Sequence, residues 1–230
     1  MNMKKVYLGL AIAGLLAGCA STSDTASAKK ETNAATAATS SVVIKSSASS
    51  LINDPQLTAF RSNSGKSDFW RKEADKNNGK GDVGSSKDSA FDDEGSARIR
   101  FISSSDDFSS VPGLSQTVEG LKPNTDYVLS FYLSDKKGAN SVSEVLAGAT
   151  GADGKELGES VIHVSQLSNS PVGEVKKSFR QAQVEFNSGD NTSATIYTRM
   201  RITDASAINM DGDIGKQTEV RVDEFALTKK

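Results

Sequence analysis

Residues 51–230 predict an all-β fold of two facing antiparallel sheets, on three observations. Apolar residues recur at every second position: Ala97, Ile99 and Phe101 alternate with Arg98, Arg100 and Ile102, and Tyr127, Leu129, Phe131 and Leu133 with Val128, Ser130, Tyr132 and Ser134. Ile196, Met200 and Ile202 likewise alternate with Tyr197, Arg199 and Arg201, and Val220 and Val222 with Arg221 and Asp223. Successive strand side chains point to opposite faces, so each run offers one face to a core and the other to solvent or a ligand. Turn-forming clusters separate the runs: Asn77-Asn78-Gly79, Lys136-Lys137-Gly138, Asn187-Ser188-Gly189-Asp190 and Asp211-Gly212-Asp213. No amphipathic helical period appears after the first 18 residues, and a two-layer sandwich buries one face of every strand.

The N-terminus carries a different signal. Lys4 and Lys5 precede an apolar run from Val6 to Ala17, too short to span a hydrocarbon core of about 30 Å, and Leu16-Ala17-Gly18-Cys19 closes it. This string resembles the lipobox of bacterial lipoproteins, which implies a signal peptide over residues 1–18 and a thioether-linked diacylglycerol, with a further acyl chain such as palmitate, on Cys19. Acyl chains contribute about 0.8 kcal/mol per buried CH₂, enough together for lasting membrane attachment. Ala20 rather than Asp after the cysteine is similar to Gram-negative lipoproteins of the outer membrane. The leaflet stays open.

Removing Lys4 and Lys5 takes the 27 basic residues to 25 against 29 acidic ones, a formal charge of −4, which offers no nucleic-acid-binding excess. With its only cysteine spent on the lipid, the domain has no disulfide to draw on. Residues 19–50 are mostly Ala, Ser and Thr, too poor in apolar surface to offset the entropy of ordering, and read as a flexible linker. Such a coil has an end-to-end distance of roughly 30 Å. Val42-Val43-Ile44 is the one apolar patch in it and marks a possible early start of the folded part.

Val118-Glu119-Gly120-Leu121-Lys122-Pro123-Asn124-Thr125-Asp126-Tyr127 leads into a strand, with Pro123 and Asn124 suited to the corners of a type I turn and Tyr127 to the first buried position. The phrase resembles both fibronectin type III domains and the jelly rolls of galactose-binding-like carbohydrate-binding modules, families four, nine and sixteen among them. About a hundred residues follow it, too many for a fibronectin domain. Leu51-Ile52-Asn53-Asp54 with Asp68-Phe69-Trp70, the run Gly95 to Phe101 and the run Val220 to Leu227 are similar to the opening, second and closing segments of those modules. The resemblance implies a jelly roll over 51–230 that binds polysaccharide without cleaving it. It also implies a structural Ca²⁺ held by Asn53, Asp54 and Asp223, oxygen donors from the first and last strands. The opening departs from the family pattern, having Asp54-Pro55-Gln56-Leu57 where a Phe-Glu pair is usual.

Of eight arginines, five fall at alternate strand positions: Arg98, Arg100, Arg199, Arg201 and Arg221. Tyr132 and Tyr197 share their outward parity, as does His163 if its strand is in register. Strand side chains repeat on one face every ~6.6 Å and strands lie ~4.8 Å apart, so Arg98, Arg100, Tyr132, Tyr197, Arg199 and Arg201 would form a ligand-binding grid if they share a face. Planar guanidiniums grip carboxylates bidentately, which favours acidic glycans such as alginate. The competing expectation is cross-strand pairing of these arginines with Glu185, Glu219 or Asp223, pairs worth about 0.2–1 kcal/mol each. Trp70, the lone tryptophan, reads as core before sugar platform.

Asp92-Asp93-Glu94 is a second acidic loop. Asn209 to Asp213 fails as a calcium-binding EF-hand, with Ile214 at the obligatory glycine and Val220 at the bidentate glutamate position. A lone His163 supports neither a zinc cluster nor a catalytic triad, and the closing motif of jelly-roll alginate lyases is missing, so an enzyme is not expected. The alternative function is a structural or assembly lipoprotein whose sandwich binds another envelope protein. An apolar patch would mark that partner, an Arg/Tyr-lined groove a sugar.

Overall fold

The computed structural model describes Ile44, Ser46 and residues 51–91, 95–167 and 178–230. The signal peptide, Cys19, all of the linker except Ile44 and Ser46, and the Asp92-Asp93-Glu94 loop lie outside the described residues.

Among the described residues, ten strands form two five-stranded antiparallel sheets. The front sheet runs β1 (Arg71–Glu73), β4 (Gly113–Glu119), β9 (Ser193–Ile202), β6 (Ser143–Gly151), β7 (Glu156–Ile162) across its width. The back sheet runs β2 (Asp82–Ser86), β3 (Ser96–Arg100), β10 (Val220–Lys229), β5 (Asp126–Asp135), β8 (Phe179–Asn187). Two single-turn helices, α1 (Thr58–Ser62) and α2 (Ile214–Thr218), fill the corners. This is the two-sheet antiparallel sandwich that the period-two pattern predicts.

One core lies between the sheets. The alternate residues Leu114, Val145, Ile196 and Met200 of the front sheet meet Ile99, Leu129, Phe131, Val222 and Phe225 of the back sheet in a single buried cluster. Each large apolar side chain withdrawn from water stabilises the fold by about 1.5–3 kcal/mol. Trp70 belongs to this core: it is 3% exposed, its ring centroid lies 4.6 Å from that of Phe225, and its indole N–H donates to the Asp54 carbonyl at 3.0 Å.

Tyr127 is buried at the start of β5, and its hydroxyl accepts the Lys122 N–H at 2.9 Å, fixing the turn that enters the strand. That turn differs from the type I expectation. Asn124 has φ 50°, the left-handed conformation that asparagine tolerates and that a type I turn does not contain at either corner.

The folded unit also starts earlier than residue 51. The Ile44 carbonyl accepts from Gln181 Nε2 at 2.9 Å, and Ser46 donates its N–H at 3.2 Å and its hydroxyl to Glu224 Oε2. Glu224 stands in an irregularity of β10, between Asp223 and Ala226, with φ 51°.

Candidate functional site

The two arginine pairs lie in different sheets. Arg98 and Arg100 are on β3 and Arg221 on β10 of the back sheet, whereas Arg199 and Arg201 are on β9 of the front sheet. All face outward, because Ala97, Ile99, Ile196 and Met200 face the shared core, so the pairs look toward opposite sides of the sandwich. Parity within a strand correctly divides inside from outside but does not say which sheet the strand joins. The single six-residue grid is therefore corrected to two separate faces.

The back face is covered. Tyr132 is 0% exposed, packed edge-on against Phe91 at 5.3 Å beside Ala90 and Phe179. Its hydroxyl accepts from Gln181 at 3.2 Å. Burial, and then the nearby Glu224, push the Tyr132 phenol far above its usual range. Tyr132 is thus a core residue of the covered face, not a ligand contact. Arg100 pairs with Asp82 at 3.3 Å and Glu219 at 3.9 Å, Arg98 with Glu219 at 3.8 Å, and Arg221 with Asp88 at 3.0 Å and with Glu219. Of the three acids expected as competing partners, Glu219 takes that role, whereas Glu185 pairs with Lys230 and Asp223 accepts backbone N–H groups.

On the front face Arg199 and Arg201 are 33% and 44% exposed, and the register places chemistry in rows. One row reads Arg71, Ser115, Tyr197, Gly148, Glu159; the next reads Glu73, Gly113, Arg199, Leu146, Val161. Arg201 and Glu144 form a third pair, with Arg201 Nε and Nη2 donating to one Glu144 oxygen at 2.9 and 2.7 Å. Thr117 and Thr195 share a hydroxyl contact of 3.2 Å beyond the Tyr197 row.

Two glycines let the long side chains lie down on this sheet. A Cβ at Gly148 would stand 2.8 Å from the Tyr197 hydroxyl, and one at Gly113 would stand 2.7 Å from Arg199 Cγ. Tyr197 reaches across β6 and donates to Glu159 Oε2 at 2.8 Å, while Arg199 Nε donates to Glu73. The Arg199 guanidinium also sits 4.1 Å from the Tyr197 ring centroid. Tyr197 is in consequence only 2% exposed and offers no open platform as it stands.

Electrostatics follow this packing. Burial, then the Glu159 hydrogen bond, push the Tyr197 phenol up. The hydrogen bond to Glu73 raises Arg199 against the opposing effect of burial. Burial pushes Glu73 up, but hydrogen bonds from Arg199 and Ser115 outweigh it and hold the carboxyl below its usual range.

Two of the expected calcium donors, Asp54 and Asp223, accept backbone N–H groups. Both Asp54 oxygens accept backbone N–H groups of α1, from Ala59 at 2.8 Å and Phe60 at 2.9 Å. Asp223 accepts the Ala90 and Glu224 N–H groups at 2.8 Å each, and the Asn53 backbone is paired with the Gln116 amide. No group of three His, Cys, Asp or Glu side chains gathers among the described residues. Asp54 thus holds the start of α1, and Asp223 ties the segment at Ala90 to β10. His163 leaves the strand altogether: it caps a 3-10 turn, with Nδ1 against the Ser165 hydroxyl at 2.6 Å and Nε2 against the Ser141 carbonyl at 3.2 Å.

Glu73, Glu144, Glu159, Gly113 and Gly148 are the front-face residues that sequence reading missed. The carboxylates become meaningful only through their partners on neighbouring strands, and a glycine inside a strand signals close approach without saying of what.

No protein-family model matches the chain, and no curated protein matches it significantly. Among solved structures it is similar to the enzymatically active domain of tailspike protein 4 of bacteriophage CBA120, with a TM-score of 0.52 at 11% identity over 81% of this chain and 22% of that one. The chain thus spans about a fifth of that protein's length, and the likeness is one of fold. A family 61 carbohydrate-binding module in complex with β-1,4-galactotriose aligns with a TM-score of 0.49 and 16% identity over 78% of this chain and 98% of that module. The xylan-binding family 22 domain of Paenibacillus barcinonensis Xyn10C aligns at 0.39 and 14% identity, over 71% of this chain and 87% of that domain. The class defined is a two-sheet antiparallel β-sandwich of jelly-roll type.

Proposed function

We propose that this protein captures polysaccharide, without cleaving it, on the outer face of the front sheet. One observation carries the reading: the back outer face is covered over Tyr132 by Ala90 and Phe91, while on the front face the ion-paired Arg199 and Arg201 stay 33% and 44% exposed. Sugar hydroxyls are met by groups such as Arg201, Glu144 and Glu159, and the partly exposed Leu146 and Val161 suit the C–H face of a pyranose.

An uncharged chain is favoured over the acidic, alginate-type glycan that the arginines alone suggest. On this face Arg71, Arg199 and Arg201 share the surface with Glu73, Glu119, Glu144, Glu156 and Glu159, and both β9 guanidiniums already hold a carboxylate. A uronate would have to displace Glu144 or Glu73 and face the remaining carboxylates. The lipobox-like string supports attachment to the outer membrane through an acylated Cys19, with the linker giving reach.

Affinity electrophoresis of the full-length protein in gels containing xylan, β-1,4-galactan or alginate tests the binding. Retention on a neutral gel that falls in Arg201→Ala, with no release of reducing or unsaturated ends, supports it; migration unaffected by every polysaccharide refutes it. Retention by a second envelope protein instead would favour the assembly reading. Transfer of Cys19→Ala from the membrane pellet to the soluble fraction tests the anchor.

A further inference from the structure

Resting on that reading of the front face, we propose that Arg199 is a built-in occupant of an aromatic subsite, covering Tyr197 until a pyranose ring displaces it. Three features of the same face lead there. Tyr197 is laid along the sheet: its hydroxyl is fixed to Glu159 at 2.8 Å, and Gly148 leaves the room for it to do so. A ring spread over a sheet directs one face outward, yet Tyr197 is 2% exposed. Over that ring lies the Arg199 guanidinium, 4.1 Å from the centroid, on a side chain that is itself 33% exposed.

A guanidinium plane on a tyrosine ring occupies the place that the C–H face of a sugar takes when it stacks. Two interactions hold it: the attraction to the ring and the Glu73 carboxylate at the far side of Gly113. Glu73 is the latch. A sugar that lifts Arg199 gains the ring, and it gains the guanidinium as a donor for its hydroxyls. Arg199 then tunes affinity downward by competing for the platform, in contrast to Arg201, which meets the ligand directly.

The dissociation constants of full-length wild type, Arg199→Ala, Glu73→Gln and Tyr197→Ala for xylan and β-1,4-galactan decide the matter. The expected result is roughly three- to tenfold tighter binding in Arg199→Ala and Glu73→Gln, the scale of one lost cation–π contact, and weaker binding in Tyr197→Ala. Glu73→Gln keeps the side chain's shape and so answers if Arg199→Ala is poorly folded. Wild-type binding that Arg199→Ala and Glu73→Gln leave equal or weaken overturns the role of Arg199 while the polysaccharide reading stands. Absence of binding by wild type and all variants overturns the reading itself, and the covered subsite with it.

Discussion

Ser46 donates both its backbone N–H and its hydroxyl to one oxygen of Glu224, a carboxylate 178 residues away that is 2% exposed. The other oxygen accepts from Gln56 at 3.2 Å. A buried carboxylate is tolerable only while its acceptor sites are filled. Ser46→Ala is expected to cost about 1.5–3 kcal/mol, the range for a hydrogen bond to a charged group, measured by urea unfolding. A chain beginning at Leu51 should melt below one beginning at Val42. Equal melting temperatures would show that the segment before residue 51 adds nothing.

Trp70 fills the core against Phe225 and ties back to Asp54. Trp70→Ala is expected to destabilise by about 3–5 kcal/mol in the same urea assay. Because the indole lies inside the sandwich, saturating xylan or galactan should leave the tryptophan emission maximum unshifted. A shift on adding polysaccharide would return Trp70 to the role of sugar platform.

Asp135 supplies a pH test. Burial pushes its carboxyl above the usual range, against hydrogen bonds from Ser141 and the Lys137 N–H. A raised carboxyl favours the native state while it is protonated, so this contribution is present below the unfolded-state pKa. It is lost as pH rises through the folded one. Asp135→Asn should therefore melt higher than wild type at neutral pH, with the gain vanishing in acid. A gain that persists in acid would assign the effect to packing instead of ionisation.

Two carboxylates expected to hold calcium are already hydrogen-bonded to backbone N–H groups. With the Asp54 oxygens on α1 and those of Asp223 on Ala90 and Glu224, chelator is expected to leave the melting temperature unchanged. Asp54→Ala, by uncapping α1, should cost about 1 kcal/mol with or without calcium. A melting temperature that rises with added calcium and falls with chelator would contradict this.

Much of the fold was legible because alternation is a local property. Ala97 to Phe101, Tyr127 to Leu133, Ile196 to Ile202 and Val220 to Val222 all face the core as their parity predicts. Trp70 was legible for a similar reason, a large apolar side chain at the end of a loop. What local pattern does not carry is strand order. Arg98 and Arg199 share a parity yet fall in different sheets, and Tyr132 points outward beneath the 87–91 segment, a cover set by tertiary contacts. The Tyr197–Arg199–Glu73 arrangement depends on glycines in two neighbouring strands, Gly148 and Gly113, and emerges only from the register.

The most direct test of the whole account maps the binding face. Full-length Arg201→Ala/Glu144→Ala, altered on the front sheet, and Arg98→Ala, altered on the back sheet, would be titrated calorimetrically with xylan and β-1,4-galactan beside wild type. The account predicts that wild type binds at least one of them, that the front-face variant loses about tenfold or more in affinity, and that the back-face variant binds as wild type does. Binding lost in Arg98→Ala and kept in the front-face variant would contradict it.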